Sequence, residues 1–146
     1  MHALTPQRGF TLIETLVATV LAAVLCAIAL PSFDSQLRKA RRADVLSAVA
    51  QIQGAQERLR SRGTRYGSLA EIGAASVSQA GHYGLQITAF SADGYELRAT
   101  AVGAQVRDAD CRFMVARAVG MNLVYASGSD ASVANTDATN RRCWSL

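Results

Sequence analysis

A single carboxylate, Glu14, stands at the head of a stretch in which no other charge appears until Asp34. The uncharged positions 15–33 would, as a helix rising 1.5 Å per residue, cover about 28 Å, close to the hydrocarbon thickness of a bilayer. That segment can span a membrane. A carboxylate at the rim of such a helix costs several kcal/mol unless something pairs with it, so Glu14 is a functional candidate waiting for a cation. The other groups capable of chemistry are sparse. Of the two histidines, His2 sits near the N-terminus and His82 in a strand pattern, and neither suggests a Ser-His or Cys-His pair. Asp108 and Asp110 flank a turn, but no series of calcium-ligand spacing follows, so turn chemistry is the better reading. No phosphate-binding glycine loop is present. Neither an enzyme, a metal site nor a cofactor site is expected.

The three cysteines divide unequally. Cys26 lies inside the apolar run and reads as a small hydrophobe. Cys111 and Cys143 lie in the polar half, and neither has a second Cys or His at metal-ligand spacing. A disulfide in an oxidising compartment is the natural reading, two unpaired buried thiols the alternative. Oxidation would gather Arg112, Arg141 and Arg142 at one edge. Guanidinium groups are good phosphate ligands, so that edge is a candidate DNA contact; the preferred reading of it is an ordinary solvated edge.

With 146 residues the chain is one small domain plus its anchor, and the 15 basic residues, 14 of them Arg, exceed the 11 acidic ones. The excess permits contact with nucleic acid or anionic lipid without arguing for either.

The run Gly9-Phe10-Thr11-Leu12-Ile13-Glu14 after Arg8, followed by the apolar helix, resembles the prepilin signature of type IV pilins and related pseudopilins. Pro31 late in the apolar run and the C-terminal cysteine pair followed by Trp144 extend the resemblance. It implies cleavage between Gly9 and Phe10 by a membrane-embedded prepilin peptidase, which also N-methylates Phe10. Glu14 then becomes the fifth residue of the mature chain and pairs with the new amine of a neighbouring subunit. The implied partners are other pilin subunits, the peptidase, an inner-membrane assembly platform and, before assembly, membrane lipid. Three rival readings fit less well. A secretory signal cut after Ala29 would have Glu14 interrupting its apolar region. A lipoprotein signal at Cys26 would have the bulky Leu25 before it, and a plain anchor does not call for the glycine, Phe and Glu at these offsets.

Arg38, Lys39, Arg41 and Arg42 follow the apolar run, so the positive-inside tendency would put the C-terminal part in the cytoplasm. The cysteine pair and the leader argue for the periplasm, and are given the greater weight. Pro31 removes one backbone donor and is expected to bend the helix rather than end it, because helical patterning resumes beyond it. Val45, Val49, Ile52 and Leu59 recur at helical spacing with Ala48 and Ala55, while Asp44, Gln51, Arg58 and Arg62 fall on the opposite face. A basic last turn and Gly63 close a helix of about fifty residues.

Residues 64–81 read as an irregular connection with one short helix around Leu69–Ile72. Then the period becomes two: Tyr83, Leu85, Ile87 and Ala89, a turn at 91–94, then Tyr95, Leu97, Ala99 and Ala101. A third strand is expected over Cys111–Val119 and a fourth over Leu123–Ala126, joined at 120–122, followed by a surface loop over 127–139. The expected fold is α+β: a long N-terminal helix with a bare apolar first half, packed through its second half on a four-stranded antiparallel sheet, as in type IV pilins. The expected organisation is a leader, 1–9, an assembly helix, 10–33, and a periplasmic domain, 34–146. The function expected is a structural minor pilin, held in the bacterial inner membrane and then part of an extracellular pilus. The alternatives are a DNA-receptor minor pilin or a pseudopilin of a type II secretion system.

Overall fold

The computed structural model describes residues 9–63, 65–120 and 122–146, without the side chains of 29–32. It divides into two compact units, Met1–Leu37 and Arg38–Leu146. Helix α1, Leu12–Arg62, begins in the first and ends in the second, with Arg60 and Arg62 in its last turn. The expected leader lies outside the described residues except for Gly9. Pro31 falls within α1, its side chain outside the description. Among the described residues no single helix is long and apolar enough to cross a membrane. The segments Leu12–Ile28 and Phe33–Arg62 pass together by length and composition only.

The sheet is an antiparallel meander of β1 (Tyr83–Phe90), β2 (Gly94–Ala101), β3 (Phe113–Val119) and β4 (Asn122–Gly128), in the order β1-β2-β3-β4. The α+β architecture is the one expected. Strand β2 alternates without a break, burying Tyr95, Leu97, Ala99 and Ala101 on the helix side. Strand β1 does so only at its start. Its register shifts between Ile87 and Ala89, so Ala89, expected inward, is exposed; an extra residue in one strand turns the following side chains to the other face. Gly94 is fixed by crowding, since a Cβ there would run into the Ala118 carbonyl oxygen.

Val45, Ala48, Val49 and Ile52 of α1 pack on Tyr83, Leu97, Met114 and Ala116, with Tyr66 and Trp144 closing the core. Leu59 and Ala55 are only half-buried. The position that continues the buried stripe is polar. Gln56 is fully buried; its amide donates to the Gly67 carbonyl at 2.6 Å and accepts from the Gly67 N–H at 2.9 Å. Two backbone groups of the 65–82 connection are thereby satisfied inside the core. That connection has a single helical turn, closed by Ile72 N–H to Ser68 O at 3.2 Å, where a short helix was expected.

Asp44 corrects the face assignment. It is half-buried and accepts from the Ser78 hydroxyl (2.5 Å) and from the Ala80 and His82 backbone N–H groups (3.0 and 3.2 Å). Burial pushes its carboxyl up, but these three donors outweigh it and hold it below the ordinary value. A depressed acid stabilises the fold above the unfolded-state pKa and loses that contribution as pH falls through the folded one.

The last expected loop is also revised. Strand β4 runs to Gly128, and Asp137–Trp144 forms a second helix, α2, whose N-cap is Thr136. The stretch before β3 forms two short 3₁₀ turns, Gly103–Arg107 and Ala109–Cys111, which is why β3 starts at Phe113 and not at Cys111.

The substitution Gln56→Leu leaves the Gly67 N–H and C=O unpaired in the core. It should destabilise by about 2–6 kcal/mol, each of the two buried orphans costing roughly 1–3. The shift of the urea midpoint at constant m-value measures it.

Candidate functional site

Two regions hold the residues singled out by sequence, one in each unit. In the first, Thr11 stands just ahead of α1. Its hydroxyl accepts from the Glu14 N–H (3.3 Å), while Glu14 Oε2 accepts from the Thr11 N–H (3.4 Å). This reciprocal pair is a capping box, which satisfies two of the orphan donors at a helix start. The string Thr11-Leu12-Ile13-Glu14 carries its signature, a Thr followed three residues later by a Glu ahead of an apolar run. Around it the side chains are bare: Phe10 is 85% exposed, Leu12 84% and Ile13 65%. Gly9 has open space where a Cβ would lie.

In the second unit Cys111 and Cys143 are joined by a disulfide, their Cα atoms 5.5 Å apart. Cys26 is free and exposed. Arg112 and Arg142 each neighbour a bridged cysteine in sequence, so chain geometry puts their Cα atoms within about 13 Å. Arg142 Nη2 donates to Thr139 Oγ1 (3.0 Å), Arg112 Nε donates to the Val106 carbonyl (3.2 Å), and Arg141 and Arg142 are both exposed. The bridge thus brings at least these two of the three arginines to one edge, and Arg141 follows in the same helix.

Of the residues that build this edge, Asn135 and Asn140 gave no signal in the sequence, whereas Trp144 did. Asn135 donates to the Asp110 carbonyl (2.6 Å) and to Ser127 Oγ (2.9 Å). Asn140 donates to the Tyr125 carbonyl (2.7 Å), and the Trp144 indole donates to the Ala126 carbonyl (3.0 Å) with its ring 4.5 Å from that of Tyr125. Asn140 and Trp144 hold α2 on β4, and Asn135 ties the segment before α2 to Asp110 and to β4. Asp108, expected to serve a turn, does something else as well. It is buried and takes a two-pronged ion pair from Arg42, Nε to Oδ2 at 2.7 Å and Nη2 to Oδ1 at 2.8 Å. Gln105 adds a donor to Oδ2 (3.0 Å) and another to the Tyr83 hydroxyl (3.1 Å). Burial pushes the Tyr83 phenol up to about 12, so it stays neutral beside that carboxylate. Among the described residues no group of three or more His, Cys, Asp or Glu could hold a metal ion.

The meander on an amphipathic helix half, the capping box ahead of a bare apolar half and the C-terminal bridge define a type IV pilin-like class. The comparisons agree. Residues 4–30 match the prokaryotic N-terminal methylation motif. Residues 31–115, more than half of the chain, match the family described as type IV minor pilin ComP, DNA uptake sequence receptor. The chain belongs to that family and is a type IV minor pilin, membrane-anchored and then pilus-associated. Its partners include other pilins and a prepilin peptidase. Among curated proteins none matches it.

Reducing the bridge frees a loop of 32 positions. In the chain-entropy account this should lower stability by roughly 3–4 kcal/mol. Urea unfolding with and without reductant reads the difference; equal midpoints would contradict it.

Proposed function

We propose that this minor pilin binds DNA through the edge that carries Arg112, Arg141 and Arg142. The observation that carries the proposal is the family match, whose description names a DNA uptake sequence receptor. It tips the balance that sequence alone left with a solvated edge. Three arginines beside a disulfide suit the task. Their guanidinium groups present fixed forks to phosphate oxygens, and the edge that bears them cannot splay apart. The chain's net charge of +4 adds no long-range penalty for an anionic partner. The match gives no support to the pseudopilin alternative.

A leader, residues 1–9, is removed between Gly9 and Phe10, and Phe10 is N-methylated. Residues 10–33 cross the inner membrane once, with Pro31 as a bend, and residues 34–146 form a periplasmic domain. An assembly platform then transfers the subunit to the filament. There Glu14 exchanges its weak contact with Thr11 for the amine of a neighbouring chain. In an apolar bundle the pair satisfies two groups that are costly alone and fixes axial register.

Two experiments test these assignments. The full chain in detergent should retard double-stranded DNA at low salt. Arg141→Ala/Arg142→Ala should weaken the complex and lower the slope of log affinity against log salt by about 2, roughly one for each phosphate that is no longer neutralised. No retardation by the unsubstituted chain at low salt rejects DNA binding. Glu14→Leu should insert in the membrane normally yet enter sheared pili roughly tenfold less, because a buried amine is left without its acid. Immunoblots of the membrane and pilus fractions give both numbers, and unchanged incorporation refutes the pairing.

A further inference from the structure

The guanidinium of Arg42 donates from each of its three nitrogens. Two fork onto Asp108; the third, Nη1, donates to the Arg142 main-chain carbonyl at 2.9 Å. That carbonyl lies in the last turn of α2, where helix carbonyls lack intrahelical partners. Arg42 therefore closes the C-terminal end of α2, at the negative pole of the helix dipole, beside Leu146 N–H, which donates to the Arg141 carbonyl at 3.1 Å. A small closed circuit results. Arg42 holds Asp108, Asp108 accepts the Cys111 N–H through its backbone carbonyl (3.0 Å), Cys111 is bridged to Cys143, and Cys143 follows Arg142 in the chain. Helix α1, the 3₁₀ turn and α2 are each tied to the other two.

We infer that Arg42 is a positioning residue for the arginine edge: anchored by Asp108, it grips the backbone of α2 and sets where the Arg141 and Arg142 side chains point. Its own charge does not reach a ligand. The Arg42 side chain is 13% exposed and that of Asp108 8%, and the pair is neutral. This inference rests on the DNA-binding proposal above for its functional half only.

Arg42→Lys is the informative variant. It keeps the charge and can still meet Asp108, but an ammonium on a flexible stem cannot hold the carboxylate fork and the Arg142 carbonyl together. The expected result, with the full chain in detergent, is two-fold. Amide hydrogen exchange of residues 141–146 rises while that of β2 and β3 is unchanged. DNA affinity falls roughly tenfold, as when a base or phosphate contact is misplaced. Arg42→Met/Asp108→Leu removes both charges, leaves the net charge as it was and should behave alike. Exchange at 141–146 unchanged in both variants overturns the positioning role. Faster exchange with unaltered affinity overturns its link to binding. Should the unsubstituted chain not bind DNA, the earlier proposal fails while the exchange measurement still decides this one.

Discussion

Hydrocarbon without a cover sets the terms for this molecule. Along Leu12–Ile28 the side chains of Leu16, Val20, Leu25 and Ile28 are each more than half exposed. Continuous apolar surface on that scale is not tolerated in water by a lone soluble chain. Val45, Val49 and Ile52 belong to the same helix by sequence, yet their burial is nearly complete, because a sheet from their own chain lies on them. One half of α1 is therefore folded by this chain and the other half is left for an external apolar medium. Membrane first and filament second is the order this division supports, and it is the order of a pilin.

The covered half then has a second task, since a helix with one apolar stripe fastens only one side of a domain. The remaining fastenings are polar and run along α1. Arg42 reaches the 3₁₀ turn and α2, Asp44 holds the 78–82 segment, and Gln56 holds Gly67. Further on, Arg60 donates to the Tyr66 hydroxyl (2.6 Å), with its guanidinium 5.1 Å from the ring centroid. Arg42 catches the 108 turn and α2, while Asp44, Gln56 and Arg60 catch the two ends of the 65–82 connection. Truncating Gln56 or Arg42 leaves a buried partner short of a hydrogen bond, which costs more than the bond itself is worth. The outer face of the sheet is fastened in the same manner, with Glu96 taking Thr88 on one side and Arg117 on the other, while Arg98 donates to the Ala131 carbonyl at 3.0 Å. The loop after β4 is pinned where it passes Gly128, at which a Cβ would meet the Val133 backbone at 2.7 Å.

What could be read from sequence was what repeats. The period-two run of β2 survives intact, and the helical stripe from Val45 to Ile52 is buried as its spacing demands. Features that depend on a distant partner left no local trace. Arg42 and Asp108 are 66 positions apart; without the fold one looks like a member of a basic cluster and the other like a turn residue. Asp44 falls on the polar side of the helical wheel, and only the donors of a loop 34 positions away draw it inward. Helix α2 escapes a sequence reading for a different reason. Asp-Ala-Thr-Asn-Arg-Arg has little apolar periodicity and several residues that favour caps and turns, so its helicity comes from Trp144 and Cys143 being held in the core. The capping box was legible in principle, since Thr11 and Glu14 stand at the required spacing before an apolar run.

Charge accounting changes once the ion pairs are known. Four cations after the apolar run weigh against a periplasmic domain, because positive charge tends to stay inside. Arg42 is not a free member of that group. Its guanidinium is turned to Asp108, whose hydrogen bonds raise its affinity for the proton further. Three cations therefore remain at the surface, with Asp34 exposed nearby in sequence. The same reasoning separates the basic residues that can meet an anion from those that cannot. Arg65 is shared with Glu71, whose carboxyl is held down to about 2 by the Arg65 guanidinium and by Ser68. Arg117 is likewise shared with Glu96. Arg141 and Arg142 carry no carboxylate partner among the described ion pairs. A phosphate arriving there competes with no carboxylate, only with solvent, counterions and the Arg142 hydrogen bond to Thr139 Oγ1. Release of those counterions is what drives binding to a polyanion. An edge whose arginines have no carboxylate partner, and whose backbone is held by a disulfide and a buried ion pair, has no ion pair to give up when it takes an anion. It gives up only the neutral hydrogen bonds of Arg142 to Thr139 and of Arg112 to Val106.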